Sequence, residues 1–162
     1  MYNRIDISNI DYKNFDYTYE IFRDESQVQT WIEAGHNLKN TKIGINQKLD
    51  IKEFTTVLNH FDHLTHIGIA FHVLQPGNYL PEHKDKYNFY AKKYNINDIN
   101  QIERTVIFLD DSRPGHFLTV GRAVYSSWSA GDSVSWKGDT PHSAINLGLV
   151  PRYTMQITGI LC

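Results

Sequence analysis

At Ile67 the apolar residues stop recurring every three or four positions and fall instead into short runs cut by turn residues. The runs are Ile67 to Leu74, Tyr79 to Asp85, Arg104 to Leu109, Phe117 to Val120, Asp132 to Trp136, His142 to Leu147 and Tyr153 to Ile160. Between them lie turn-forming segments such as Gln75-Pro76-Gly77-Asn78, Ser129-Ala130-Gly131-Asp132 and Gly148-Leu149-Val150-Pro151. Many short strands at such spacing argue for a sandwich or barrel. The expected class is mainly β with flanking helices.

The first 66 residues read differently, as a helical and irregular flank. Asp24-Glu25-Ser26 precedes Val28, Trp31 and Ile32 on one helix face, with Gly35 as a stop. Asp50 with Glu53 resembles a capping box, and Phe54, Val57, Leu58 and Phe61 follow at helical spacing. With 162 residues and 41% hydrophobic content, the chain suits one domain, 1–162, with the flank at 1–66 and the β core at 67–160. Sixteen Lys and Arg against 18 Asp and Glu give a net charge of -2 without a basic run, so no nucleic-acid partner is expected. No apolar run reaches the length of a membrane span. Cys162, the sole cysteine, has no partner for an internal disulfide, and the stretch from Met1 to Arg4 lacks the apolar segment of a signal peptide, so a reducing, cytoplasmic setting is expected.

The residues that carry chemistry lie in the β region. A strand projects residues i and i+2 to the same face, so His83 and Asp85 are expected to point an imidazole and a carboxylate into one cavity, with Lys84 turned away. His142 follows 57 residues after Asp85, which leaves room for the intervening strands. Two imidazoles and one carboxylate leave half of an octahedral ferrous ion open, as a non-haem oxygenase requires. Arg152 lies ten residues beyond His142, across the turn Gly148 to Pro151, and the two are expected on neighbouring antiparallel strands. Along the last run Arg152, Thr154, Gln156 and Thr158 share one face, while Tyr153, Met155 and Ile157 share the other. A guanidinium fork with a hydroxyl two residues on suits a carboxylate, so the polar face is read as a subsite for a dicarboxylate.

The pattern His83-x-Asp85 … His142 … Arg152-x-Thr154 resembles the ligand signature of the Fe(II)/2-oxoglutarate-dependent dioxygenases. Within them, His142-Ser-Ala-Ile-Asn146 followed by Arg152 is similar to a segment of the aspartyl/asparaginyl β-hydroxylases, as are the Pro-Gly … Leu-Pro-x-His lead-in from Pro76 through Tyr79 and Arg104 before a β run. Prolyl hydroxylases, the second resemblance, share the metal pattern but hold the oxo-acid with a lysine. The β-hydroxylases carry R-x-H after the first ligand motif, whereas this chain has Arg104-Thr105-Val106. The resemblance covers residues 67–160. It implies a double-stranded β-helix (a cupin-like jelly roll), Fe(II) held by His83, Asp85 and His142, and 2-oxoglutarate bound with its distal carboxylate on Arg152. It further implies hydroxylation of a C–H bond in an amino-acid-like or peptidyl substrate, using O2 and releasing succinate and CO2. Thr154, Arg104, Asn146 and Tyr79 join Arg152 as expected co-substrate contacts.

Other residues admit two readings. Arg104 either grips a carboxylate of co-substrate or substrate, or pairs with Asp110 or Asp111. Asn146 either orients co-substrate or water, or bonds the backbone at a strand end. Trp128 and Trp136 are core aromatics or pocket walls, and the aromatic segment Lys86 to Glu103 is a lid or an ordinary connection. His60, His63 and His66 are read as structural or solvent-facing histidines, His72 as a core or pocket-wall residue, and His36 and His116 carry no signal. Two other functions fit the same residues: a cupin-type metalloenzyme that does not use 2-oxoglutarate, and a non-catalytic barrel that binds a ligand.

Overall fold

Each of the seven apolar runs becomes a strand, shifted at its ends by up to three residues, in a computed structural model that describes residues 4–21, 24–48 and 50–162. Met1, Tyr2 and Asn3 lie outside the described residues. The strands are β1 Thr18–Ile21, β2 Lys42–Lys48, β3 Leu64–Leu74, β4 Tyr79–His83, β5 Ile102–Phe108, β6 His116–Val120, β7 Ala123–Tyr125, β8 Ser133–Lys137, β9 His142–Asn146 and β10 Arg152–Leu161. Helices are α1 Glu25–Glu33, α2 Thr55–Leu58 and α3 Asn88–Tyr94. None is long and apolar enough to cross a membrane.

The strands form a six-stranded sheet in the order β1-β2-β3-β10-β5-β8 and a four-stranded sheet in the order β4-β9-β6-β7. Counting from β3 as the first, the large sheet holds the first, eighth, third and sixth strands, and the small sheet the second, seventh, fourth and fifth. Successive hairpins thus wrap from sheet to sheet, and the order is that of a jelly roll, a double-stranded β-helix.

Alternation along β10 sorts the interior. Met155 and Ile157 face outward into a core with Phe71, Ile107 and the flank residues Phe54, Val57 and Phe61. The opposite face of the large sheet meets the small sheet, where Val106, Phe108, Leu118, Trp128, Val134 and Trp136 pack together. The flank therefore covers the outside of the large sheet, which is buried on both faces.

Three sequence expectations change. The flank is not wholly helical, because β1 and β2 extend the large sheet, with Ile45 opposite His72. The expected second helix is a 3-10 turn, Ile51–Phe54, and a single α turn, because Asp50 accepts from Lys52 N and Phe61 already lies in the turn into β3. In α1, Asp24 caps Gln27 N, Trp31 is buried and Gly35 follows with φ +88°, yet Ile32 is 46% exposed. Strand β7 had no counterpart among the apolar runs.

Candidate metal centre

The first ligand is placed by an irregularity in β4. In its pairing with β9, Leu80 sits opposite Ala144 and His83 opposite His142, so three steps on β4 match two on β9. That extra residue is a β-bulge, and Pro81, which has no N–H to give to the ladder, lies inside it. Without the bulge Leu80 and His83 would face opposite sides; with it both line the same cavity. The imidazoles of His83 and His142 then stand 4.3 Å apart, centroid to centroid. Trp31 buttresses this corner from the flank: its indole N–H donates to Glu82 O at 3.0 Å and its ring meets His83 edge-on.

Both histidines are oriented by the backbone. Nδ1 of His83 lies 2.8 Å from Pro81 O and Nδ1 of His142 3.0 Å from Thr140 O. A carbonyl only accepts, so each Nδ1 carries the proton and each Nε2 presents a lone pair, the arrangement typical of metal-binding histidines. Asp85 joins them from the segment just beyond β4 rather than as a strand residue. Its Oδ2 lies 3.4 Å from His142 Nε2 and accepts a hydrogen bond from Arg104 Nη1. One ligand atom from each of His83, Asp85 and His142 falls within 4.8 Å of the others, the sole such group among the described residues.

Protonation favours ligation as well. Burial pushes His83 below its ordinary value, and it pushes His142 down to about 4, with His83 adding to the effect. Burial alone would raise Asp85, but its neighbours, Arg104 foremost, outweigh it and hold the carboxyl below its ordinary range. Near neutral pH the group therefore comprises two neutral imidazoles and one carboxylate, the forms a divalent metal binds. This donor set fits a facial metal site, and it suits iron among other divalent ions.

The group opens on a cavity of about 160 Å³ between the sheets. Ile43, Ile45, Leu80, Val106, Leu118 and Trp136 form its apolar wall, and His72, Arg152, Thr154 and Gln156 its polar one. Arg152 is 5% exposed. Its Nη1 donates to Phe117 O at 2.9 Å, its guanidinium lies over Trp128 and Phe108, and its Nε is buried with no partner. Burial lowers it to about 10, so it remains charged at neutral pH, and no carboxylate among the described residues pairs with it. Burial likewise holds His72 down at about 4, a neutral pocket-wall residue.

The structure redistributes several expected roles. His142 and Arg152 are not on neighbouring strands, because the turn between them carries the chain from the small sheet to the large one; they meet by facing each other across the cavity. Arg104 pairs with Asp85, not with Asp110 or Asp111, which are engaged by Tyr12 and Lys13 and by Ala130 N. Tyr79 is not a cavity residue: it points away, with its hydroxyl 3.4 Å from His36 Nδ1. Asn146, on the same strand face as His142, is fully buried beneath the β9–β10 turn. Its amide donates to Leu74 O and Val150 O and its oxygen accepts from Gly148 N, so both donors are committed to the backbone. Thr154 does line the cavity.

Trp136 forms part of the wall, 4.7 Å from His142, whereas Trp128 stacks on Phe108 behind Arg152. His63 bonds Glu103 and His66 stacks on Tyr94, so the histidine run does not converge on a site. Sequence reasoning missed Ile43 and Ile45, although their period-two spacing carried a strand signal.

No protein-family model and no curated protein sequence matches the chain. Solved structures similar to it include a predicted oxalate decarboxylase from Thermotoga maritima, with 12% identity and a TM-score of 0.47 over 74% of this chain and 82% of that one. A cupin-2 domain protein from Rhodospirillum rubrum is similar at 13% identity and a TM-score of 0.47, over 88% and 69% of the two chains. KdgF from a Halomonas species gives 9%, 0.46, 74% and 80%.

Proposed function

We propose that the protein is an Fe(II)- and 2-oxoglutarate-dependent dioxygenase that hydroxylates a C–H bond of an amino-acid-like substrate. The observation that carries this reading is Arg152: a buried cation with no carboxylate partner among the described residues, facing into the same cavity as a His-Asp-His group. A buried charge is costly unless paired, and a small dianion that reaches the metal with one end would supply the missing partner with the other.

His83, Asp85 and His142 would hold Fe(II), which when bound supplies the activation of O2. Arg152, with the Thr154 hydroxyl two residues on, would bind the distal carboxylate of 2-oxoglutarate and fix its direction. Arg104 keeps Asp85 ionised and oriented. The apolar wall from Ile43 to Trp136 excludes water from the reacting centre. In the balanced reaction one oxygen atom of O2 enters the alcohol and the other enters succinate as CO2 leaves, so no external reductant is needed.

Succinate formation from 2-oxoglutarate under air tests the reading. Wild-type protein with Fe(II) should turn over 2-oxoglutarate slowly even without substrate, Asp85→Ala should not, and Arg152→Ala should do so only at much higher 2-oxoglutarate. Turnover indifferent to 2-oxoglutarate, with Arg152→Ala tolerated, would instead mark a metalloenzyme acting without the oxo-acid.

A further inference from the structure

A second hollow lies against the first. It has a volume of about 450 Å³, within the range of small-molecule sites, and opens to solvent between α3 and the inner face of the large sheet. Arg104 and Gln156 line both spaces, so the two are contiguous through these side chains. Along β10 the order is Arg152, Thr154, Gln156, Thr158, all on one face. The Arg152 subsite and the hollow therefore lie toward opposite ends of that row, and Arg104, the partner of Asp85, borders the hollow.

The hollow has a consistent chemistry. Phe89, Tyr90 and Tyr94 of α3 form its aromatic side, and Phe89, 68% exposed, presents its ring at the mouth. Lys93 Nζ lies 5.3 Å from the Phe89 ring centre and 5.2 Å from that of Tyr94, and it has no carboxylate partner among the described residues. No Asp or Glu occurs among the described lining residues, whereas Lys93 and Arg104 both do. Arg104 is matched by Asp85, which leaves Lys93 as the unmatched charge of the hollow among the described residues.

This wall is built rather than incidental. The Tyr90 hydroxyl lies 3.2 Å from His66 O and 3.1 Å from Thr158 O, which pins α3 across the ends of β3 and β10. Gly68 makes room for it, since a Cβ there would come within 2.6 Å of that hydroxyl. The helix is thus held over the sheet with Phe89 and Lys93 left free on its rim.

We propose that this hollow binds the primary substrate, and that the amino-acid-like substrate is one with a free carboxylate and an aromatic or extended apolar side chain, of which simple acids carrying the same two parts are probes. Its apolar part lies on Phe89 and Tyr94, its carboxylate meets Lys93, and its far end reaches past Gln156 toward the metal group. The proposal rests on the dioxygenase reading for the chemistry it serves, but its ligand preference is tested separately.

The experiment is binding of 3-phenylpropionate, 3-phenylpropionamide and octanoate to the full chain, followed by ligand-observed NMR and calorimetry with and without Fe(II). The two acids should bind and the amide should bind at least about fivefold more weakly. Phe89→Ala and Lys93→Ala, both surface changes whose folding is checked by unchanged Tm, should each weaken acid binding about fivefold or more while leaving 2-oxoglutarate affinity unchanged. Absence of binding by both acids, equal binding of acid and amide, or indifference to both substitutions would overturn the proposal. Loss of 2-oxoglutarate binding is read from Arg152→Ala, so failure of the dioxygenase reading and failure of the substrate hollow give different patterns.

Discussion

Two arginines face the interior of this barrel, and their surroundings differ in one respect. Arg104 on β5 is matched by Asp85 and lies 4.9 Å over the Tyr87 ring, so the metal end of the cavity is balanced within the protein. Arg152 at the start of β10 has aromatic rings, one carbonyl and, among the described residues, no carboxylate, so the other end is balanced only when an anion arrives. The contrast separates a charge that organises the site from one that awaits a ligand.

Substitution should expose that difference most sharply at Asp85. Asp85→Ala should lower metal affinity by more than about 100-fold and, by leaving Arg104 partly buried and unpaired, destabilise the metal-free protein by about 2 kcal/mol, as measured by calorimetry and urea denaturation. Arg152→Leu should do the reverse at the other end. It should leave metal affinity unchanged, weaken 2-oxoglutarate about 100-fold, and stabilise the ligand-free protein by about 1 kcal/mol, because an uncompensated buried charge is removed. A loss of stability in Arg152→Leu would break the comparison.

Asn146→Ala sharpens it from a third side. Its amide serves the backbone, so stability should fall by about 2 kcal/mol while 2-oxoglutarate affinity holds. The comparison also has a pH dependence. His72 and His142 stay neutral in the fold down to about 4, against an ordinary value near 6.5. As pH falls below about 6.5 the unfolded chain takes up protons first, so stability of the metal-free protein should decline from there to about 4, and it should keep falling below as Asp85, held under its ordinary range in the fold, is protonated. Denaturant midpoints at pH 7, 5.5 and 4.5 should show this, and His72→Leu should reduce the slope by one proton.

The sequence was informative where chemistry and period coincide. His83, Asp85, His142 and Arg152 were legible because few other tasks require those residue types in β runs, and the polar row Arg152 to Thr158 because alternation alone sorts its faces. What stayed hidden depends on long-range arrangement. Ten residues between His142 and Arg152 fit a hairpin within a sheet as well as a turn between sheets. The Pro81 bulge shifts His83 into line with Leu80, which simple parity does not anticipate. Arg104 could not be matched to Asp85 before the register of β5 against β10 placed it opposite Thr158. Asn146 shares a face with His142, yet its amide bonds the backbone at Leu74, Gly148 and Val150.

The central claim is that the metal group and Arg152 are two ends of one binding site for 2-oxoglutarate. Anaerobic titration of the metal-free protein with Fe(II) and then 2-oxoglutarate tests it directly, through the visible metal-to-ligand charge-transfer absorption of the chelate. The account predicts a band that saturates at one Fe(II) and one 2-oxoglutarate per chain, vanishes in Asp85→Ala, and needs far more 2-oxoglutarate in Arg152→Leu. No band in the wild-type protein, or an identical titration in Arg152→Leu, would contradict it.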